Sequence, residues 1–293
     1  MPITLDQLNT ADRAGFVTAL SGIYEASPWV AERAWAARPF TSVADLHAAM
    51  QAAIAGAAEA EQLALIRAHP ELAGKVARAG NLTPESRREQ GSLGLARLSD
   101  EEFELFTRSN ANYRERFGFP FIICVRRHTR DSILVCFARR LASSRDAEYR
   151  IALEEIGYIA RLRLSEAVDG PGKPKVYGRL TTHVLDTMHG EPAAGVGLVL
   201  KECGASAEGI LKEAVTNADG RTDEPLLSGT PLRIGTYEIG FRVGDYFAAR
   251  GIAVKDPRFL DVVPVRFAIA EPEGDYHVPL LVSPWSYSTY RGS

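Results

Sequence analysis

Six histidines are spread over 293 residues, and two groups of residues around them have the types and spacing that chemistry needs. In the C-terminal part, His183 sits in LTTHVLD and His277 in YHVPLLV, both strand-like runs. Arg221 sits in NADGRT, where Asp219-Gly220 signals a tight turn that presents the arginine at a strand end. Two imidazoles and a guanidinium on one polar face suit hydrolysis. One neutral ring deprotonates water, the second orients or protonates, and the guanidinium holds a planar acyl-urea oxygen. Two plainer readings stand beside this one. A single histidine in a strand is more often a surface or hydrogen-bonded residue than a catalyst. His183, His189 and His277 together also raise zinc, although no pair has tight ligand spacing and no thiol accompanies them.

The N-terminal part carries a second group. His69 precedes Pro70, which pushes its backbone towards an extended form at a helix end, where an imidazole facing a pocket can be tuned as acid or base. ESRREQ puts Ser86, Glu89 and Gln90 within one helical turn, a carboxylate and an amide able to grip a ureido group. The same Ser-x-x-Glu pattern is also that of a capping box. FPFIICVRRHTR is an extended apolar piece among helical sequences, and local exceptions of this kind are often functional. The sequence ends on SYSTYRGS, hydroxyls with two tyrosines and an arginine, where most chains carry disposable residues.

Positioning these groups takes two kinds of scaffold. From Ile3 to Val168 the periodicity is helical: VADLHAAMQAAIAGAAEAEQLALIRAHPEL has apolar positions at three and four residues. SDEEFELFTRSNANYRERFG opens on Ser99 as N-cap and stops at Gly118. DAEYRIALEEIGYIARLRLSEAV is a long amphipathic helix with Leu153, Ile156, Ile159, Leu162 and Leu164 towards a core. DGPGKPKVYGR has no helical period and reads as a linker. Beyond it, LTTHVLD, GVGLVLKEC, EAVTNADGRT, GTYEIGFRV, VVPVRFAIA and YHVPLLV are short β-branched runs between turn residues, as in an antiparallel sandwich. DYFAARGIAVKD can hold one short helix. The fold class is therefore multidomain: an all-α helical domain over 1–168, a linker over 169–178 and an all-β sandwich over 179–293.

Composition bounds the partners. Hydrophobic residues make up 46% and charged residues 24%, the balance of a globular protein, and the net charge of -3 argues against a general nucleic-acid binder. No stretch approaches the roughly 20 apolar residues of a membrane span, and the start is not a secretory signal. Cys124, Cys136 and Cys203 are odd in number and lack metal-type spacing, so the expected compartment is cytoplasmic.

LTTHVLDTMHGEPAAGV, NADGRTDEPLL and YHVPLLVSPWSYSTYRGS together resemble the transthyretin-related 5-hydroxyisourate hydrolases, over Gly178 to Ser293. The terminal YRGS is the most specific mark, since the hormone-carrying transthyretins lack it. The resemblance implies that His183, Arg221 and His277 are catalytic and that Ser293 closes the site through the terminal tetrapeptide, with Tyr290 and Arg291 binding substrate. It implies a transthyretin-like β-sandwich that assembles as a tetramer, with active sites in the channel between dimers. His189 is not one of the implied positions.

HPELAGK, S-x-x-EQ and FGFPF, in this order, resemble 2-oxo-4-hydroxy-4-carboxy-5-ureidoimidazoline (OHCU) decarboxylase, over Leu5 to Val168. This resemblance implies His69 as the essential acid/base group, with Glu89 beside it. Pro70, Ser86, Gln90 and Arg163 become substrate ligands, and the backbone amides of Ile122 and Ile123 contact the imidazoline ring. Arg163 is preferred to Arg161 because LRL matches the family's arginine. It also implies dimer contacts through the helical domain. Loss of carbon dioxide leaves a carbanion delocalised into the adjacent ring C=N, so neither a cofactor nor a metal is expected. The two resemblances describe consecutive steps, from 5-hydroxyisourate through OHCU to (S)-allantoin, with small molecules as the partners of a homo-oligomer. The alternatives are a small-molecule binding module fused to a helical domain, and a zinc-dependent cyclic-amide hydrolase.

Overall fold

The computed structural model of the chain describes residues 2–73, 82–95, 98–205, 209–252 and 256–292. Contacts divide the chain into two units, Met1–Arg126 with Ile133–Val176, and Arg127–Ser132 with Tyr177–Ser293. Residues 127–132 thus fall with the second unit although they are flanked by helical sequence.

Helices fill the N-terminal part: α1 (Leu5–Thr10), α2 (Arg13–Ala19), α3 (Pro28–Ala34), α4 (Val43–Ala55), α5 (Glu59–Ala68), α6 (Pro84–Gly91), α7 (Asp100–Phe117), α8 (Arg130–Leu141) and α9 (Arg145–Ala167). Their ends follow from local chemistry. On α7, the Ser99 hydroxyl accepts from the Glu102 N–H while the Glu102 carboxylate accepts from the Ser99 N–H. The helix stops at Gly118, which adopts φ 79°. Helix α9 starts on the Ser144 cap and buries Ala152, Ile156, Ile159, Leu162 and Leu164 in a core shared with Phe16, Leu46, Met50, Tyr113 and Phe137. Its helical spacing also puts Glu148, Glu155, Ile159 and Arg163 along one stripe. The part is not wholly α: β1 (Ile3–Thr4) and β2 (Val168–Asp169) form a parallel ladder, because α9 ends where the first residues of the chain offer it backbone partners. In the expected linker, the carbonyls of Pro171 and Gly172 accept from the Val43 and Ala44 N–H groups, two donors that the start of α4 leaves open.

The C-terminal part is sheet-rich, with β3 (Arg179–Asp186), β4 (Glu191–Pro192), β5 (Gly197–Cys203), β6 (Ile210–Val215), β7 (Gly235–Arg242), β8 (Val262–Ile269), β9 (Asp275–Ser283) and β10 (Ser286–Thr289). They form two four-stranded sheets, ordered β10-β9-β3-β4 and β6-β5-β7-β8. Leu180, Val184, Leu280 and Val282 of the first sheet share one apolar cluster with Leu198, Leu200, Ile239, Phe241 and Val263 of the second. Helix α10 (Val243–Ala249), in the stretch read as one short helix, keeps this part from being wholly β. Not every ladder is antiparallel: β3 and β9 run parallel, since the chain passes through the other sheet before returning. The polar C-terminal stretch is itself a strand, β10, paired antiparallel to β9. Along β3, Leu180, Thr182, Val184 and Asp186 are buried, so Thr181 and His183 point to the opposite face of the sheet. Among the described residues, no helix is long and apolar enough to cross a membrane.

Candidate active sites

In the first unit, the end of α5, helix α6, the segment 121–126 and helix α9 close around one cavity. His69, Pro70, Ser86, Glu89, Gln90, Ile122, Ile123 and Arg163 all line it. His69 terminates α5 in an extended conformation, φ -75° and ψ 134°, as Pro70 dictates. Its Nδ1 lies 2.9 Å from the Leu65 carbonyl, four residues back. A carbonyl only accepts, so Nδ1 carries the proton and Nε2 keeps its lone pair. Burial pushes the imidazole down to about 4, opposed only in part by the Leu65 hydrogen bond and the Glu25 carboxylate. His69 is therefore a neutral ring with one tautomer, ready to accept a proton.

Helix α6 begins on Thr83, whose hydroxyl accepts from the Ser86 N–H, with Pro84 in the first turn. Ser86 is thus inside the helix, and the capping-box reading of Ser-x-x-Glu does not apply. The three-residue step from Ser86 puts Glu89 on the same face, towards α9. There the Glu89 carboxylate takes Arg163 in a fork, at 2.7 Å from Nε and 2.8 Å from Nη2.

Arg163 is more deeply engaged than its sequence role implies. Its Nη1 donates to Glu25 at 3.0 Å and to the Gly22 carbonyl at 3.2 Å, and Nη2 also donates to the Ser86 hydroxyl at 3.3 Å. With the two Glu89 bonds, all five guanidinium N–H groups have acceptors. A substrate that binds Arg163 has to replace one of them. Burial alone would lower the Arg163 pKa, but Glu89 and Glu25 outweigh it and hold the charge firmly. Gln90 is also occupied: its Oε1 accepts from the Ala73 N–H at 3.1 Å and its amide reaches the Glu71 carbonyl at 3.4 Å.

Glu25 was not visible from the sequence. It is buried, and its Oε1 accepts from the hydroxyls of Thr83 at 2.7 Å and Ser86 at 3.3 Å. Burial opposes its ionisation, yet the Thr83 bond and Arg163 prevail and hold the carboxyl below its ordinary range. It lies in SGIYEAS, which carries no motif, and only the fold brings it to α6 and α9. The Gly74 and Lys75 end of HPELAGK lies outside the described residues.

In the second unit, a cavity is lined by Arg179, Thr181, Arg221, Asp275, Tyr276 and His277. The parallel register sets Thr181 beside His277 and His183 one step along the same face. The Thr181 hydroxyl donates to the Tyr276 carbonyl at 3.3 Å, so it accepts from His277 Nδ1 at 2.9 Å, leaving His277 Nε2 with its lone pair. Arg221 arrives through a backbone bridge to His183. Its turn is built by Asn217, whose side-chain oxygen accepts from the N–H groups of Asp219 and Arg221. Gly220, at φ 70°, passes so close to β3 that a Cβ there would sit 2.3 Å from the Val184 carbonyl oxygen. Burial, then the positive charge of Arg221, hold both His183 and His277 below the usual histidine value.

The C-terminal stretch continues β10 antiparallel along β9, and the Gly292 N–H donates to the His277 carbonyl at 2.9 Å. Glycine allows this close approach, because a Cβ would lie 2.5 Å from His277 Cδ2. Ser293 lies outside the described residues. Tyr290 and Arg291 line a neighbouring depression that shares Tyr276 and His277 with the first one, and the Arg291 guanidinium lies 5.2 Å over the Tyr276 ring. His189 stands apart, its Nδ1 2.7 Å from the buried Asp186 carboxylate in the turn after β3. Among the described residues, no group of three His, Cys, Asp or Glu side chains is arranged to hold a metal ion.

Residues 9–165 match the OHCU decarboxylase family and residues 180–292 match the HIUase/Transthyretin family. A 2-oxo-4-hydroxy-4-carboxy-5-ureidoimidazoline decarboxylase of Haloferax volcanii is 46% identical over 164 residues, 56% of this chain and 95% of that protein. The 5-hydroxyisourate hydrolase 2 of Rhizobium meliloti is 52% identical over 116 residues, 40% of this chain and 97% of that protein. The crystal structure of (S)-allantoin synthase matches both parts at once, with 36% identity and a TM-score of 0.53, covering 99% of this chain and all of that one. With two histidine-centred cavities held on two such scaffolds, the chain belongs to the OHCU decarboxylase family through its helical unit and to the HIUase/transthyretin family through its sheet-rich unit.

Proposed function

We propose that the chain is a bifunctional enzyme of urate breakdown: its sheet-rich unit hydrolyses 5-hydroxyisourate to OHCU and its helical unit decarboxylates OHCU to (S)-allantoin. The observation that carries this reading is that each unit holds a neutral histidine whose Nδ1 proton is committed to a fixed partner, leaving Nε2 as a base. Leu65 does this for His69 and Thr181 for His277.

In the sheet-rich site, His277 Nε2 takes a proton from water as the oxygen adds to a ring carbonyl. Arg221 holds the oxyanion, and His183 completes the proton transfer as the ring C–N bond opens and the nitrogen is protonated. Ser293, Tyr290 and Arg291 close this site from the C-terminal stretch, which Gly292 brings against the His277 ring. In the helical site, C4 of OHCU loses carbon dioxide and its electron pair moves into the C5=N bond, whose nitrogen takes up a proton. His69 then removes the C4 hydroxyl proton and delivers a proton to C5 from one side, which sets the hand of the product. Glu89 and Arg163 act as one charge-compensated unit beside it. Pro70, Ser86, Gln90 and the amides of Ile122 and Ile123 hold the imidazoline and its ureido arm.

We read the first unit as an all-α scaffold apart from the short β1–β2 ladder, and the second as a β-sandwich that carries helix α10. We place the enzyme in the cytoplasm, where Cys124, Cys136 and Cys203, none of them in a disulfide, would stay reduced. We also propose a homo-oligomer, with dimer contacts through the helical unit and a tetramer through the sheet-rich one. The exposed strand β10 and the exposed rings of Trp285 and Tyr287 support the second contact.

The test supplies freshly generated 5-hydroxyisourate to the purified chain and follows ultraviolet absorbance and circular dichroism together. Rapid loss of the substrate band followed by a growing (S)-allantoin signal is the expected result. Racemic product after fast substrate loss would remove the decarboxylase half. A carrier would accelerate neither phase.

A further inference from the structure

We propose that Arg140, held by Glu148 and Tyr113, is a positioning residue that aims the Ile123 N–H into the helical-unit cavity; this rests on the decarboxylase reading of that cavity. Residues 121–124 are buried and lie outside any helix or strand, and Ile122 and Ile123 line the cavity. Among the described residues, neither the Ile122 nor the Ile123 N–H has a protein acceptor. Buried backbone donors are seldom left unpaired, so a donor of this segment that lines the cavity is a place for an acceptor atom of a bound molecule.

The peptide units around them are held from outside the cavity. Arg140 Nη1 donates to the Ile122 carbonyl at 2.7 Å. That carbonyl and the Ile123 N–H belong to one planar trans peptide and point in opposite directions, so gripping the oxygen fixes where the N–H points. On the next peptide, the Cys124 N–H donates to Glu155 at 2.8 Å. Arg140 is itself fixed: Nε donates to the Glu148 carboxylate at 2.7 Å, and Nη2 donates to the Tyr113 hydroxyl at 3.2 Å. The guanidinium lies 4.4 Å over the Phe121 ring, which stacks on Phe137. Arg140 is 2% exposed and Glu148 0%, and an ion pair that deep is often no more stabilising than apolar side chains of the same volume. An apolar pair could fill the space but could not hold a carbonyl turned away from the substrate.

The experiment compares wild type with Arg140→Lys and Glu148→Gln in the full chain. It measures kcat and KM of decarboxylation, the enantiomeric excess of the allantoin formed, and the hydrolase phase of the same sample as an internal control. A donor misplaced by about 1 Å lowers kcat by about 10²-fold. Both variants are expected to fall towards that level with KM changed less than about threefold, since the donors act most on the developing charge. Enantiomeric excess falls with kcat as spontaneous decay competes, and the hydrolase phase is unchanged. Folded variants with wild-type kcat and enantiomeric excess, and only a lower melting temperature, would overturn the proposal and leave a structural ion pair. If Arg140→Lys does not fold, Glu148→Gln, which keeps the size and one acceptor oxygen, decides by the same readouts. Racemic product from the wild type would instead overturn the decarboxylase reading and this proposal with it.

Discussion

Replacing Thr181 by valine isolates the contribution of one hydrogen bond to the sheet-rich site. Valine keeps the branched shape and the strand preference of threonine, so β3 and its ladder with β9 persist. The hydroxyl that receives His277 Nδ1–H at 2.9 Å is lost. Nothing then holds the ring in the tautomer that leaves Nε2 unprotonated. A neutral hydrogen bond of this kind contributes about 1 kcal/mol net, and about 2 kcal/mol if the donor it leaves behind stays buried. Either figure translates into a 5- to 30-fold loss of hydrolase kcat, roughly, with little change in KM. Thr181→Ser keeps the acceptor and is expected to recover most of the rate. The assay follows the 5-hydroxyisourate absorbance band in stopped flow, with the decarboxylase phase of the same chain as control for folding. A valine variant with wild-type kcat, or a serine variant as slow as valine, would refute the assignment of Thr181 as the group that sets the His277 tautomer.

Gly292→Ala places a methyl 2.5 Å from His277 Cδ2, so the C-terminal stretch or the ring must move; hydrolase activity should fall at least tenfold while decarboxylation is unchanged. In the proposed mechanism the active form of His69 is neutral, and its pKa is depressed to about 4. A depressed value means that decarboxylation is still fully active at pH 6 and lost only as pH falls through about 4; an acid limb near the ordinary histidine value of about 6.5 would contradict this. Glu25→Gln removes one of the two carboxylates on Arg163 while keeping an acceptor, and should cost about 1–3 kcal/mol of stability together with a slower decarboxylase, read by chemical denaturation and circular dichroism. Prolonged treatment with a strong chelator should leave both phases unchanged, and a loss restored by zinc would bring back the zinc-hydrolase alternative.

Much of this protein is local enough to be legible in the sequence. Ser99 and Gly118 bracket α7, Pro70 turns His69 out of α5, and Asp219-Gly220 marks the turn that carries Arg221. Each of these depends on a few consecutive residues, whose dihedral and capping preferences do not need the rest of the chain. His69, Ser86, Glu89 and Gln90, like His183 and His277, were singled out from short stretches as well, through the motifs they belong to.

What joins distant segments was decided only by the tertiary structure. Glu25 lies 138 positions from Arg163 and meets it only because the helical unit packs as it does. That packing commits all five donors of a residue read as a substrate ligand. Thr181 and His277 are 96 positions apart, and their pairing follows from a parallel register that no turn in the sequence specifies. Arg140 looks like one more surface arginine of an amphipathic helix, yet it is buried and holds a carbonyl 18 positions away. Side-chain identity and local backbone preference are properties of short stretches. Register, burial and the partner of each polar atom are properties of the folded whole, and they decide which nitrogen of His69 and His277 keeps its lone pair.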